Sequence, residues 1–162
     1  MNHYCNAVGY EMKGIISSFA FIGLALLLLF SFDSRAFAAN EYAVFTLNQE
    51  FDELTRSKAR MLYRGKAKSL QGTRIELSDW PESSSERSEF YQSLLGKDVA
   101  QMNAYWASLS FSGKARPPKE MDSASVSSLV IWLAEKSNRI GYAPLSEIPA
   151  EANVLYVVGK EQ

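Results

Sequence analysis

The sequence predicts a small α/β domain. Short runs of strand formers alternate with segments of helical period, and at least one strand passes through a polar loop straight into a helix. The chain has 162 residues, 47% apolar, 12% aromatic and 22% charged, the proportions of an ordinary globular protein. With 17 Lys+Arg against 18 Asp+Glu the formal charge is −1. That balance gives no overall drive toward a polynucleotide or an acidic membrane, both of which call for a large positive field.

The chain opens on an export signal. Ile15 to Phe32 are eighteen residues without a charge, preceded by Lys13 and followed by Asp33 and Arg35. Ala36 and Ala38 form an A-x-A cleavage pattern, so residues 1–38 read as a cleaved signal peptide and the mature chain as 39–162. The alternative is an uncleaved anchor, since the run approaches the roughly 20 residues that cross a bilayer. Residues 1–11 hold one Glu and no Lys or Arg, a poor opening for a signal, whereas Met12-Lys13 makes a conventional one. Both starts, Met1 and Met12, stay open. No Cys follows the apolar run to carry a lipid, and soluble release to the periplasm is the simplest outcome.

The remaining residues, about 120, suffice for one core without staples. The only histidine, His3, and the only cysteine, Cys5, lie ahead of the apolar run, within residues 1–38. After cleavage no Cys nucleophile, His base, Ser-His-Asp triad or N/S zinc site can be assembled. The expectation is a protein that is not an enzyme and uses no cofactor or metal.

In order, Tyr42 to Leu47 reads as a first strand. Thr55 is an N-cap for a helix over Arg56 to Tyr63, closed by Gly65 as a C′ residue. From Arg56 to Arg74 there are seven cations and no acid, either a solvated helix face or a surface for an acidic partner. Thr73 to Leu77 reads as a second strand, Ser78 to Ser85 as a polar loop, and Glu86 to Leu95 as a helix ended by Gly96. Asp98 caps a further helix, Val99 to Leu109, and Ser110 to Pro118 form a loop. An amphipathic helix covers Ser125 to Ser137, burying Val126, Leu129, Val130 and Leu133. Ile140 to Tyr142 and Val154 to Val158 finish the chain as short strands.

The loop before Glu86 is the candidate site. It delivers Ser hydroxyls and backbone N–H groups to a helix N-terminus, where the dipole favours an anion. The competing reading is that Ser84 or Ser85 merely caps the helix, with Glu86 and Glu89 as ordinary first-turn acids.

The order Leu62-Tyr63-Arg64-Gly65, Phe90-Tyr91-Gln92-Ser93-Leu94-Leu95-Gly96, Tyr105-Trp106, Phe111-Ser112-Gly113, Arg116-Pro117-Pro118 and Ile140-Gly141-Tyr142 resembles small exported proteins described as phosphate-transporter substrate-binding-like. These are similar to one lobe of the periplasmic phosphate-binding protein of the ABC phosphate transporter. The resemblance implies a single-lobe periplasmic-binding-protein-like domain, a small mixed sheet flanked by helices. With it, Ser83, Ser84, Ser85 and Arg87 at the helix N-terminus become the candidate residues for phosphate or another small oxyanion, although only Ser84 and the acid at Glu82 match the family's loop. In that family the loop runs Arg-x-Asp-Gly-Ser-Gly-Thr; here Trp80, Pro81, Glu82, Ser83, Ser84, Ser85 and Glu86 take those places. Trp80 replaces the Arg and Glu86 adds a negative charge, so weak binding is expected, with Arg87 compensating if it folds back over the loop.

Two functions follow. One is a periplasmic solute-binding-like protein that takes a small anion weakly. The other is an adaptor that docks an envelope protein, such as a sensor or an assembly, because an anion on an open single lobe stays largely in water, where Coulomb attraction is about 1 kcal/mol. In neither is nucleic acid a partner, and membrane contact is limited to the signal segment.

Overall fold

The computed structural model describes residues 41–159. The signal segment, its cleavage site, both candidate starts, His3 and Cys5 lie outside the described residues.

The domain is α/β, a five-stranded mixed sheet with four α-helices. The strands are β1 (Tyr42–Thr46), β4 (Glu76–Asp79), β5 (Lys119–Glu120), β6 (Arg139–Pro144) and β7 (Asn153–Val158), in spatial order β5-β4-β6-β1-β7. β1 pairs antiparallel with both β6 and β7, whereas β4 runs parallel to both β5 and β6. A separate two-stranded hairpin, β2 (Ser69–Leu70) and β3 (Thr73–Arg74), precedes β4. The helices are α1 (Arg56–Leu62), α2 (Ser85–Leu95), α3 (Val99–Phe111) and α4 (Val126–Ala134). Among the described residues no helix is long and apolar enough to cross a membrane.

β1 is buried along its whole length, as a central strand covered on both faces must be, and its residues Tyr-Ala-Val-Phe-Thr suit that place. The alternation of β6 shows which helices cover which face. An added Cβ on Gly141 would lie 2.8 Å from Leu129 of α4, so only glycine lets α4 come down on that face. The next residue, Tyr142, points the other way. Its ring stacks on Phe90 of α2 at 3.5 Å between centroids, and Tyr63 after α1 meets both rings edge-on at 4.8 and 5.6 Å. Each such fully buried side chain contributes roughly 1.5–3 kcal/mol by burial alone.

The helix caps follow the sequence. Thr55, Ser84, Asp98 and Ser125 each accept from the backbone N–H three residues on, and Asp98 with Gln101 completes a capping box. Gly96 ends α2 in the left-handed region. Gly65 stands one residue later than a C′ position, because α1 ends at Leu62 with Tyr63 as its C-cap; its φ is still +63°.

The expected second strand, Thr73 to Leu77, is split. Ile75 turns its N–H to the Lys68 carbonyl, which leaves Thr73–Arg74 to the hairpin and starts β4 at Glu76. β4 then continues through Ser78 and Asp79, both fully buried, where the sequence reading placed a loop. β5 follows the Pro117-Pro118 pair and carries no strand signature in its two residues, Lys119 and Glu120.

Candidate functional site

β4, β5 and β6 are parallel, so their carboxyl ends meet at one edge of the sheet. Asp79 ends β4, Glu120 ends β5 directly opposite it, and the loop Trp80 to Ser84 leads from that edge into α2. The crevice beyond the carboxyl ends of parallel strands is where open α/β sheets bind ligands.

At this edge a network of side chains closes the loop on itself. Arg87, in the first turn of α2, lies back across the loop and is 6% exposed. Its Nη1 donates to the Trp80 carbonyl at 3.1 Å and to Glu120 Oε2 at 3.0 Å, its Nη2 donates to Asn103 Oδ1 at 3.0 Å, and its Nε lies 3.3 Å from Asp79 Oδ2. The Glu82 N–H donates to Glu120 Oε1 at 3.3 Å, and Asn103 Nδ2 to Glu82 Oε1 at 2.7 Å. Glu120 therefore bridges the loop backbone and the guanidinium, the two kinds of donor that an oxyanion would need there. Two carboxylates, those of Asp79 and Glu120, contact the guanidinium directly, and a third, that of Glu82, is linked to it through Asn103.

Asp79 is itself held by three hydrogen-bond donors and one ion pair. Tyr91 and Tyr142 hydroxyls donate to it at 2.5 Å each and the Trp80 N–H at 3.0 Å, alongside the Arg87 contact. Burial pushes its carboxyl above the ordinary range against the opposing pull of Arg87 and the tyrosines. Burial also lowers the proton affinity of Arg87, but the Asp79 charge and the Glu120 hydrogen bond outweigh this and leave it above its ordinary value. Tyr91 and Tyr142 are raised well above the usual phenol range, first by burial and then by the Asp79 charge.

The four residues singled out in the sequence have separate places. Ser84 is the N-cap of α2, its Oγ accepting from the Arg87 N–H at 3.2 Å. Ser83 and Ser85 are exposed, and the Ser85 hydroxyl donates to the Glu86 carboxylate at 3.3 Å. Trp80 is buried, with Nε1 donating to the Tyr142 carbonyl at 2.6 Å. The sequence reading missed Asp79, Asn103 and Glu120, which reach Arg87 from β4, α3 and β5; no local spacing links them. Among the described residues no group of three or more His, Cys, Asp or Glu is arranged to hold a metal ion.

No family of sequences and no curated protein matches this chain. Solved structures do. An ABC-type phosphate transport receptor from Vibrio cholerae aligns over 72% of this chain with a TM-score of 0.53 and 14% identity. A putative phosphate ABC transporter substrate-binding protein with bound phosphate, from Clostridium perfringens, aligns over 72% with a TM-score of 0.53 and 15% identity. What is shared is the fold. This chain spans about half the length of those receptors, 47% and 45% respectively.

A second feature lies away from the loop. Arg60 on α1 and Arg64 in the turn after it line one cleft with Lys97, just ahead of α3, and with Gln101 and Tyr105 of α3, while Arg56 and Lys66 join Arg60 and Arg64 around a second cleft on the α1 side. Two clefts, of about 590 and 670 Å³, meet at Arg60 and Arg64. The Tyr105 hydroxyl donates to the Arg64 carbonyl at 2.8 Å and ties the two walls together.

Proposed function

We propose that this protein is an exported, periplasmic binding module that has kept the solute-receptor fold and docks another envelope protein, rather than carrying phosphate tightly. The observation that carries the reading is the state of Arg87. Its guanidinium is buried and shared among Asp79, Glu120, Asn103 and the Trp80 carbonyl. A free anion would have to displace Glu120 and approach a loop that already holds more negative than positive charge, which costs Coulomb energy in a partly desolvated place.

The phosphate reading keeps one observation of its own. Ser83 and Ser85 are exposed at the N-terminus of the 11-residue helix α2, where the dipole favours negative charge. In that reading Ser83, Ser84, Ser85 and Arg87 hold a weakly bound oxyanion after Glu120 swings out.

Melting curves of the purified protein in phosphate, with sulfate and chloride at matched ionic strength, separate the two. A ligand of the native state adds about 2.7 kcal/mol at 100 times its Kd. The docking reading expects no shift specific to phosphate. Sub-micromolar phosphate binding overturns it.

A further inference from the structure

The surface formed by α1, the turn after it and the segment leading into α3 concentrates positive charge. Arg56, Arg60, Arg64, Lys66 and Lys97 line its two clefts, no Asp or Glu lines either, and none of the five takes part in an ion pair among the described residues. The nearest acid in sequence, Asp98, is occupied as the cap of α3, accepting from the Gln101 N–H at 2.7 Å. Such a patch on a molecule whose formal charge is −1 is a local concentration of charge rather than a general basic character.

The floor of the first cleft is apolar: Leu95 and Met102 are buried, with Ala104 and the half-buried ring of Tyr105 beside them. A small inorganic oxyanion has no use for that floor. A flat bilayer does not reach into a concave cleft of about 590 Å³. A single-stranded nucleic acid draws holding strength from exposed rings on which its bases stack, whereas the Tyr105 ring is half-buried with its hydroxyl tied to the Arg64 carbonyl.

We infer that this groove is the docking site for an acidic peptide segment of a partner protein, its carboxylates on Arg56, Arg60, Arg64, Lys66 and Lys97 and an apolar side chain on the Leu95–Met102 floor. The inference rests on the docking reading above and adds the site and the chemistry of the partner. Charged rims speed and orient encounter, while an anchored apolar side chain supplies holding strength.

The test uses the purified protein and a fluorescent peptide of repeated Glu-Glu-Phe units, followed by anisotropy. Binding that weakens as salt rises is expected. The double variant Arg60→Glu/Arg64→Glu should lose about tenfold or more of it. Lys97→Glu, on the opposite wall and outside every helix, should weaken it in the same direction, which keeps the test valid if the double variant is unfolded. A poly-Glu peptide without Phe should bind several-fold more weakly. Equal binding of a Lys-Lys-Phe peptide, unchanged binding in Lys97→Glu, or capture of an oligonucleotide or of phosphatidylglycerol vesicles in preference to the peptide would overturn the assignment. Absence of peptide binding also overturns it, whatever phosphate does. The docking reading itself falls only with tight phosphate binding, so the two failures are distinguishable.

Discussion

Arg87 Nε lies 3.3 Å from Asp79 Oδ2, and both side chains are almost completely shielded from water. The ion pair is the junction between the sheet and α2. Asp79 comes from the end of β4, Arg87 from the first turn of the helix, and the tyrosines that also hold Asp79 come from α2 and β6. A buried pair of this kind adds little net stability over an apolar replacement, yet losing one partner leaves an uncompensated charge.

Arg87→Met should therefore cost about 3–5 kcal/mol, because Asp79 keeps its burial and loses its counter-charge. The double variant Arg87→Met/Asp79→Asn should recover a substantial part of that loss. Urea midpoints of the single and double variants measure the coupling. Additive losses would show that the pair is not an energetic unit.

The pH response of stability should carry two contributions of opposite sign. Glu76 has its pKa lowered from 4.5 by hydrogen bonds from Lys136 and Arg139, so its contribution is present above the unfolded value and is lost as pH falls through the folded one. Being nearly half exposed, that pair is worth at most about 1 kcal/mol. Asp79 has its pKa raised from 3.8 by burial, so the unfolded chain ionises first, and stability is lost as pH rises from 3.8 through the higher folded value. The stability gap between wild type and Glu76→Gln should narrow on acidification, and the gap to Asp79→Asn should widen. Urea melts at about pH 3 to 7 check both slopes.

Gly65 sits at φ +63°, and a Cβ there would lie 2.8 Å from the Trp106 ring and 3.0 Å from Ala115. Gly65→Ala combines left-handed strain with overpacking against a ring that is 5% exposed. A loss of roughly 1–3 kcal/mol is expected. A change smaller than about 0.5 kcal/mol would mean that the turn after α1 yields freely.

Local signals made the helices legible. Thr55, Ser84, Asp98 and Ser125 are cap residues whose chemistry acts over three positions, and Gly96 needs only its own backbone freedom. The central strands were legible because Tyr42 to Thr46 are strand formers in one run. Of β4 only Glu76 and Leu77 were, since Ser78 and Asp79 look like turn residues until Tyr91, Tyr142 and Arg87 arrive from distant elements to satisfy the carboxylate. β5 was hidden for a similar reason: Lys119 and Glu120 pair with β4 through the fold rather than through propensity. At the site, sequence exposed the Ser-rich loop but not Glu120, which comes from 33 residues beyond Arg87. The basic stretch after Arg56 was visible, while its opposite wall at Lys97 and Tyr105 is assembled by helix packing.

The loop itself gives the last prediction. Ser84 accepts from the Arg87 N–H as a cap, so Ser84→Ala should cost about 1 kcal/mol in any buffer. Ser83→Ala and Ser85→Ala, at exposed positions, should stay within about 0.5 kcal/mol. Glu120→Ala removes the carboxylate that bridges the Glu82 N–H and Arg87 Nη1, freeing both donors and taking one negative charge from the loop. Glu120 is half exposed, so the variant should fold, and it should gain a phosphate-dependent rise in melting temperature that wild type lacks. Adding Arg87→Lys should abolish the gain, because an ammonium cannot reproduce the guanidinium fork. If Glu120→Ala melts identically in phosphate and in matched chloride, Glu120 is not what keeps an anion out, and the repulsion from Asp79 and Glu82 alone is sufficient.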